Sequence, residues 1–485
     1  MPKKEVVWYE LIGKTGDAPQ LLLQNEFYSG VSSLEETAAV VISCPVPMVK
    51  FYWEILSPDR KKVLEGSWDF GSEGVERFSL GSVLPMEQLL PYETETAEYC
   101  MKTGVILATG DDVNGSFVFR SHLHKGKAAT EIFGKNLPTL LAEIPIANAS
   151  MTEDQLRQIC LDYMKLEQEV PFRMPEDFFY TVESQKRRRR LVAGQVYGGI
   201  PYVTRGAGNL YRFAELYDPE TDTLRMDSDI YDDIRYFGNA CSGSASMAWA
   251  RVVTSAYLGY TMFMTEANGF LPVGNYKYPA ENMTRFIPGS NGCRTLCDFN
   301  GEEVMYESYA KMKPADGLVC DGHVRMNSQY PEVVRREDGT IDPDRSFIWT
   351  RDQNCYMGTR NNVRLLPDGT HYSAQGFVDI RFTFRSVFGR GFVPFTFREF
   401  GNPALVEPAR IRLAVEPELR ERVLTANYPI SDIFLELDGQ RWSYRNMEFF
   451  RKEVKLGDIF PAEALTPETK IYCQLMNGQL LEVPQ

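Results

Sequence analysis

Through residues 1–125 the apolar and β-branched positions fall in short runs, Ala39 to Ser43, Val49 to Leu56, Val105 to Ala108 and Ser116 to Arg120, parted by Gly, Pro and Asp clusters. Strands place alternate side chains on opposite faces, so this pattern predicts a β-rich, sandwich-like domain over 1–125. At Ser150 the period changes. Thr152, Glu153 and Asp154 are helix-start residues, and Leu156, Ile159, Cys160, Tyr163 and Leu166 follow at helical spacing until Pro171. That helix belongs to a helical connector, 126–181. A second helix is expected from about Val182 to Val196, stopped by Gly198-Gly199. After Pro408 short strands and turns return, at Ile433 to Leu437, Trp442 to Tyr444 and Ile471 to Leu475, predicting a small β-rich domain over 401–485.

Composition narrows the field. Of 485 residues 44% are hydrophobic and 12% aromatic, ample for packed cores and too much for a largely disordered chain. With 66 Asp and Glu against 52 Lys and Arg the formal charge is −14, which argues against nucleic acid and against adhesion to anionic membranes. No apolar run nears the roughly 20 residues that a membrane span needs. The first fifteen residues, with Lys3, Lys4, Glu5 and Glu10, lack the apolar core of a secretory signal. By sequence the protein is cytoplasmic, unless a leader was trimmed or another route carries it to the cell wall. Nine thinly spread cysteines are not a disulfide scaffold, and an odd number leaves one thiol unpaired in the monomer. Cys44, Trp53 and Tyr99-Cys100 resemble the Cys–Trp–Cys arrangement of immunoglobulin-like domains and keep that topology open for 1–125, although the tyrosine adjoins the second cysteine.

The signal that carries chemistry is Asn239-Ala240-Cys241-Ser242-Gly243-Ser244-Ala245, followed by Met247, Ala248, Trp249, Val252 and Val253. A turn of small residues leads into an apolar helix, with the cysteine where that helix begins. Free backbone N–H groups at a helix N-terminus stabilise a thiolate, and the same groups can stabilise an oxyanion in acyl transfer. A thiol nucleophile also needs a base. Of the four histidines, His122, His124, His323 and His371, His323 opens a strand: Lys313-Pro314-Ala315-Asp316-Gly317-Leu318-Val319, then Gly322-His323-Val324-Arg325-Met326. That strand, packed on the cysteine helix, would set imidazole beside thiol. Each residue taken alone also fits a plain structural role.

In order along the chain, Gly198-Gly199-Ile200-Pro201-Tyr202-Val203, Ala240-Cys241-Ser242-Gly243, Lys313-Pro314-Ala315-Asp316 and Gly322-His323-Val324 resemble the NlpC-type cell-wall peptidase family, within the papain-like group shared with the CHAP amidases. The resemblance spans about 220 residues, 182–400. It implies an α+β, papain-like fold in which a helix bearing Cys241 packs on a small antiparallel sheet bearing His323, here flanked by two β-rich domains. It also implies a cysteine peptidase or amidase hydrolysing peptide bonds of peptidoglycan or muropeptides, without metal or organic cofactor. Phe347-Ile348-Trp349-Thr350-Arg351-Asp352-Gln353-Asn354 resembles the Glu-Gln-Asn ending of CHAP amidases, making Asp352 the first choice and Asn354 the second for orienting His323. Tyr202 matches a family tyrosine near the nucleophile, and Tyr202 and Ser242 are the expected substrate-binding residues.

Three departures bear on specificity. Ala240 stands where Asp is usual, Ala315-Asp316 where Gly-Asp is usual, and 82 positions separate Cys241 from His323. The surplus chain, 259–312, predicts an insertion. Its aromatics Phe263, Phe270, Tyr276, Tyr278 and Phe286 need burial or a ligand, so part of it is expected to cover the cleft as a lid.

Other signals carry less. Lys186-Arg187-Arg188-Arg189-Arg190 reads as the solvated side of the second helix, with a grip on an anionic wall polymer as the alternative. Asp227, Asp229, Asp232 and Asp233 lack the glycine and terminal glutamate of an EF-hand loop. Cys293, Cys297, Cys320 and Cys355 lack zinc-ribbon spacing, and His122 and His124 have no nearby partners. Two rivals to a wall peptidase stand beside it: a papain-like amidase or acyltransferase on a non-wall substrate, and a catalytically silent binding scaffold.

Overall fold

The computed structural model describes residues 7–11, 20–22, 25–29, 34, 38, 40–57, 61–92, 99–118, 135–176, 178–182, 187–191, 196–203, 208–221, 223–224, 238–279, 283–286, 292–353, 376–416, 421–445 and 450–484. It is a mixed α and β structure with several separate sheets.

The N-terminal sheet is organised around one long strand, Val40–Leu56. Phe51, Trp53 and Ile55 alternate into the core while Tyr52 and Glu54 face outward, the period-two pattern of a half-buried strand. Cys100–Leu107 and Lys62–Asp69 pair along opposite edges of its second half, and Val75–Ser79 and Val7–Leu11 pair mainly with its first half. Cys44 and Trp53 therefore share one strand, and the backbone of Cys100 pairs with Leu56, twelve residues along that strand from Cys44. This corrects the immunoglobulin-like expectation. A disulfide needs Cα atoms within about 7 Å, and twelve residues of extended strand part Cys44 from the position that Cys100 faces.

The expected helix over 182–196 is also corrected. Phe178–Val182 and Arg187–Leu191 form an antiparallel hairpin, Phe179 opposite Arg190 and Val182 opposite Arg187, and Arg189 pairs in parallel with Ser29. Aromatic and β-branched residues at 178–182 favour a strand, and a run of four arginines gives a helix no apolar stripe to bury. The chain thus re-enters the N-terminal sheet after the connector.

The central sheet has six strands in the order Leu271–Pro272, Val393–Thr396, Gly317–Cys320, His323–Asn327, Phe347–Gln353, Gly376–Thr383, all antiparallel. The nucleophile helix, Cys241–Trp249, packs on the strands His323–Asn327 and Phe347–Gln353 and on the long helix Glu153–Glu169. That long helix starts at a capping box of Thr152 and Gln155 and buries Leu156, Ile159, Cys160, Tyr163 and Met164. It is therefore part of the central core rather than a free-standing connector. Trp249 fixes the far end of the nucleophile helix: its Nε1 donates to Ala315 O at 2.8 Å and its ring meets Phe395 edge-on. Helices Gly292–Asn300 and Glu302–Ala310 also pack against the sheet, where Tyr309 Oη donates to Phe392 O at 2.7 Å.

The C-terminal segment forms a three-stranded and a four-stranded sheet, as expected of a β-rich domain. It is locked to the central domain by a buried charge pair. Arg212 Nε lies 3.0 Å from Asp432 Oδ1, Arg212 Nη2 donates to Ser431 O at 2.8 Å, and Asn209 Nδ2 donates to Ser431 Oγ at 2.9 Å. Gly478, at φ +101°, leaves no room for a side chain, since a Cβ there would come 2.1 Å from Arg251 Nη1. Among the described residues no helix is long and apolar enough to cross a membrane.

Candidate active site

Cys241 is the first residue of its helix, and the N-cap position is Ala240, in extended conformation with no capping side chain. The first N–H groups of any helix lack intrahelical acceptors. Ser or Asp at the N-cap would occupy one of them; Ala240 has no side chain that could do so. The turn is held from behind instead. Asn239 Oδ1 accepts from Ala240 N at 2.9 Å, and Asn239 Nδ2 donates to Gly208 O at 2.8 Å and to Glu167 Oε1 at 3.2 Å. Backbone bonds of 2.9 and 3.0 Å link Asn239 to Pro201 and Val203, so half-buried Tyr202 runs alongside the residue two before the nucleophile. Half-buried Ser242 follows Cys241 in the first turn.

The base arrives on a tight hairpin. Cys320 and His323 pair across the turn Asp321-Gly322, with Gly322 at φ +81°. Gly322 O lies 3.9 Å from Cys241 Sγ, so the thiol rests against this turn. The next strand supplies the acid: Asp352 Oδ2 lies 2.5 Å from His323 Nε2. Asp352 is wholly buried, whereas His323 keeps 21% of its side chain exposed. An ionised carboxylate only accepts, so this contact puts the ring proton on Nε2 and leaves Nδ1 for the thiol. Gln353 then ties the end of the strand to the Tyr202 loop, donating to Ile200 O at 2.8 Å.

Electrostatics separate Cys241 from five other buried or half-buried thiols. Burial pushes its thiol up, but the charge and hydrogen bond of His323 and the N–H of Val324 outweigh burial, and the net direction is below the ordinary 9.0. Burial pushes Cys160 and Cys293 up, and takes Cys297, Cys320 and Cys473 to about 12. Burial pulls His323 down, yet Cys241 and Asp352 together raise it to about 9. Between the two ionisations the pair holds thiolate and imidazolium, the reactive form of a cysteine hydrolase.

The structure therefore brings together Cys241, His323 and Asp352, with Tyr202 and Ser242 on the flanking turn and helix. Asn354 lies outside the described residues, as do Lys186, His122, His124, His371, Cys355 and the acidic set Asp227, Asp229, Asp232 and Asp233. Among the described residues no group of three or more His, Cys, Asp or Glu side chains is placed to hold a metal ion. Sequence reasoning missed Glu167 and Asn239, which support the turn, and Arg325. Arg325 stands two residues after His323, where strand alternation returns it to the same face.

The lid expectation for 259–312 meets a different arrangement. Phe270 packs on Phe395 and Phe397, Tyr276 Oη donates to Pro394 O at 2.7 Å, and Phe286 is buried. These three aromatics find their burial in the central core, whereas Phe263, against the exposed Tyr257 and Tyr260, and Tyr278 stay half-buried. No family model matches the chain, and neither does any curated protein or solved structure.

Proposed function

We infer that this protein is a cysteine peptidase or amidase of papain-like architecture acting on the stem peptides of peptidoglycan. One observation carries the chemical part of the reading: a thiol at an uncapped helix start, lowered by a histidine whose far nitrogen meets a buried carboxylate at 2.5 Å. The wall substrate rests on the ordered motifs around Tyr202, Cys241, Asp316 and His323 and is the narrower claim.

Cys241 thiolate attacks an amide carbonyl carbon, and the carbonyl electrons move onto oxygen, where N–H groups of the first helical turn receive the charge. The imidazolium of His323 gives its proton to the leaving amine as the C–N bond breaks, leaving a thioester on Cys241. Neutral His323 then takes a proton from water, hydroxide adds to the thioester, and collapse releases the carboxylic acid and restores the thiolate. Asp352 keeps the ring in the orientation and tautomer that both steps need.

The test is incubation with purified peptidoglycan and with defined stem peptides, followed by mass spectrometry of the released fragments. Fragments with new amine and carboxyl ends, absent with Cys241→Ala, support the reading. Cleavage of simple peptide amides with intact wall material unchanged would keep the hydrolase and remove the wall substrate.

A further inference from the structure

Arg325 is 4% exposed, an unusual place for a guanidinium, and it sits beside the acid of the site. Its Nε lies 3.3 Å from Asp352 Oδ2, the same oxygen that meets His323 Nε2 at 2.5 Å. The guanidinium carbon stands 4.0 Å from the ring centroid of Phe382 and 5.0 Å from that of Phe392. Phe392 also meets the His323 ring edge-on at 6.3 Å. The two rings fix where the positive charge is held, and water is excluded from most of it. Among the described residues the charged and titratable groups that act on Arg325 include Asp352 from the neighbouring strand, Arg390 beyond the helix Phe384–Gly389, Cys320 across the hairpin and Cys241 from the helix Cys241–Trp249.

We propose that Arg325 is a positioning residue for the Cys241–His323 pair, a buried positive charge that offsets Asp352 and so favours the thiolate. The thiolate and carboxylate are faced by the imidazolium and the guanidinium, with Arg390 a further positive charge beyond Arg325. Without the guanidinium the site loses one positive charge, which disfavours the thiolate and favours the imidazolium. Both ionisations then move to higher pH. The proposal rests on the Cys–His reading above, and its test reads the thiol itself, independent of any substrate.

The experiment is the pH dependence of iodoacetamide alkylation at Cys241 in the full chain, followed by peptide mass spectrometry, for wild type, Arg325→Met, Arg325→Gln and Arg325→Lys. Arg325→Met and Arg325→Gln should move both inflections, thiol and imidazole, upward by about one pH unit, the scale of one charge a few ångströms away in a partly screened site. Arg325→Lys, which restores the charge, should return both to near wild type. Unmoved inflections in a folded Met or Gln variant overturn the proposal, because a merely structural arginine would alter rate or stability without moving them. Should the Met variant fail to fold, equal shifts in the Gln and Lys variants overturn it, and a shift in Gln alone upholds it. A wild-type Cys241 with a single ordinary thiol inflection overturns the Cys–His pair itself, and this role of Arg325 with it.

Discussion

His323 and Asp352 meet at 2.5 Å across neighbouring strands, with the acid wholly buried and the imidazole open at one edge. The buried partner does not need to move or react; it holds a ring whose other nitrogen faces the thiol. Replacing Cys241 or His323 with Ala should therefore lower turnover by roughly 10³-fold or more while leaving the fold intact. Circular dichroism and thermal melting beside the rate measurement check both halves of this expectation.

Asp352 should show itself in pH as well as in rate. For the wild type, kcat/KM should rise through a thiol ionisation below the ordinary range and fall as pH passes about 9, where His323 gives up its proton. Asp352→Asn removes a negative charge that raises both groups, so both limbs should move to lower pH. This is opposite in sign to the shift expected for Arg325→Met. Limbs that stay in place would show that the acid orients the ring without acting on its charge.

Glu167 supports the turn before Cys241 from a wholly buried position, and burial raises it to about 8, against the hydrogen bonds of Ser244 and Asn239. Unfolded, the same carboxyl loses its proton near its ordinary 4.5. Between these values the unfolded chain releases a proton that the folded one keeps, so stability falls as pH rises from about 4.5 to about 8. Glu167→Gln cannot ionise and should lack this loss. Denaturation at pH 5 and pH 8 should show the variant gaining on wild type by a few kcal/mol at the higher pH.

Arg212 and Asp432 test the junction with the C-terminal sheets. Their side chains are 0% and 2% exposed, so removing either alone leaves the other charge buried without its partner. Arg212→Met should cost about 3–5 kcal/mol in chemical denaturation, and Arg212→Met with Asp432→Leu should cost less than the two single changes summed. Additive losses would show that the pair acts through packing alone.

Cys241, His323 and Asp352, which the structure brings together, each sit on a local pattern in the sequence: small residues before an apolar helix at Cys241, a turn into a strand at His323, a strand ending at Asp352. What failed was pairing between distant segments. Nothing within 182–196 announces that Arg189 will lie beside Ser29, and the arginine run offered charge without period. Cys44 and Trp53 read as separate strands because Pro45 and Pro47 look like a break, yet Val40–Leu56 continues through them. Arg325 carried no motif of its own; its signal was a charge two residues after His323, on the strand face that His323 occupies. The aromatics of 259–312 had the composition of a lid, but for Phe270 the packing comes from Phe395 and Phe397, over a hundred residues later.

The hairpin Phe178–Leu191 completes the N-terminal sheet from beyond the long helix Glu153–Glu169. That sheet is consequently assembled from two separated stretches of chain, and no contiguous fragment holds it without the long helix between them. A protein stopped near residue 125 would lack two strands and bare the edge of Asn25–Ser29, where unpaired N–H and C=O groups invite another chain. A protein begun at 126 would carry an arginine-rich strand with no sheet to join. Studying the N-terminal sheet apart from Cys241 calls for grafting 178–191 back onto the first fragment through a short turn.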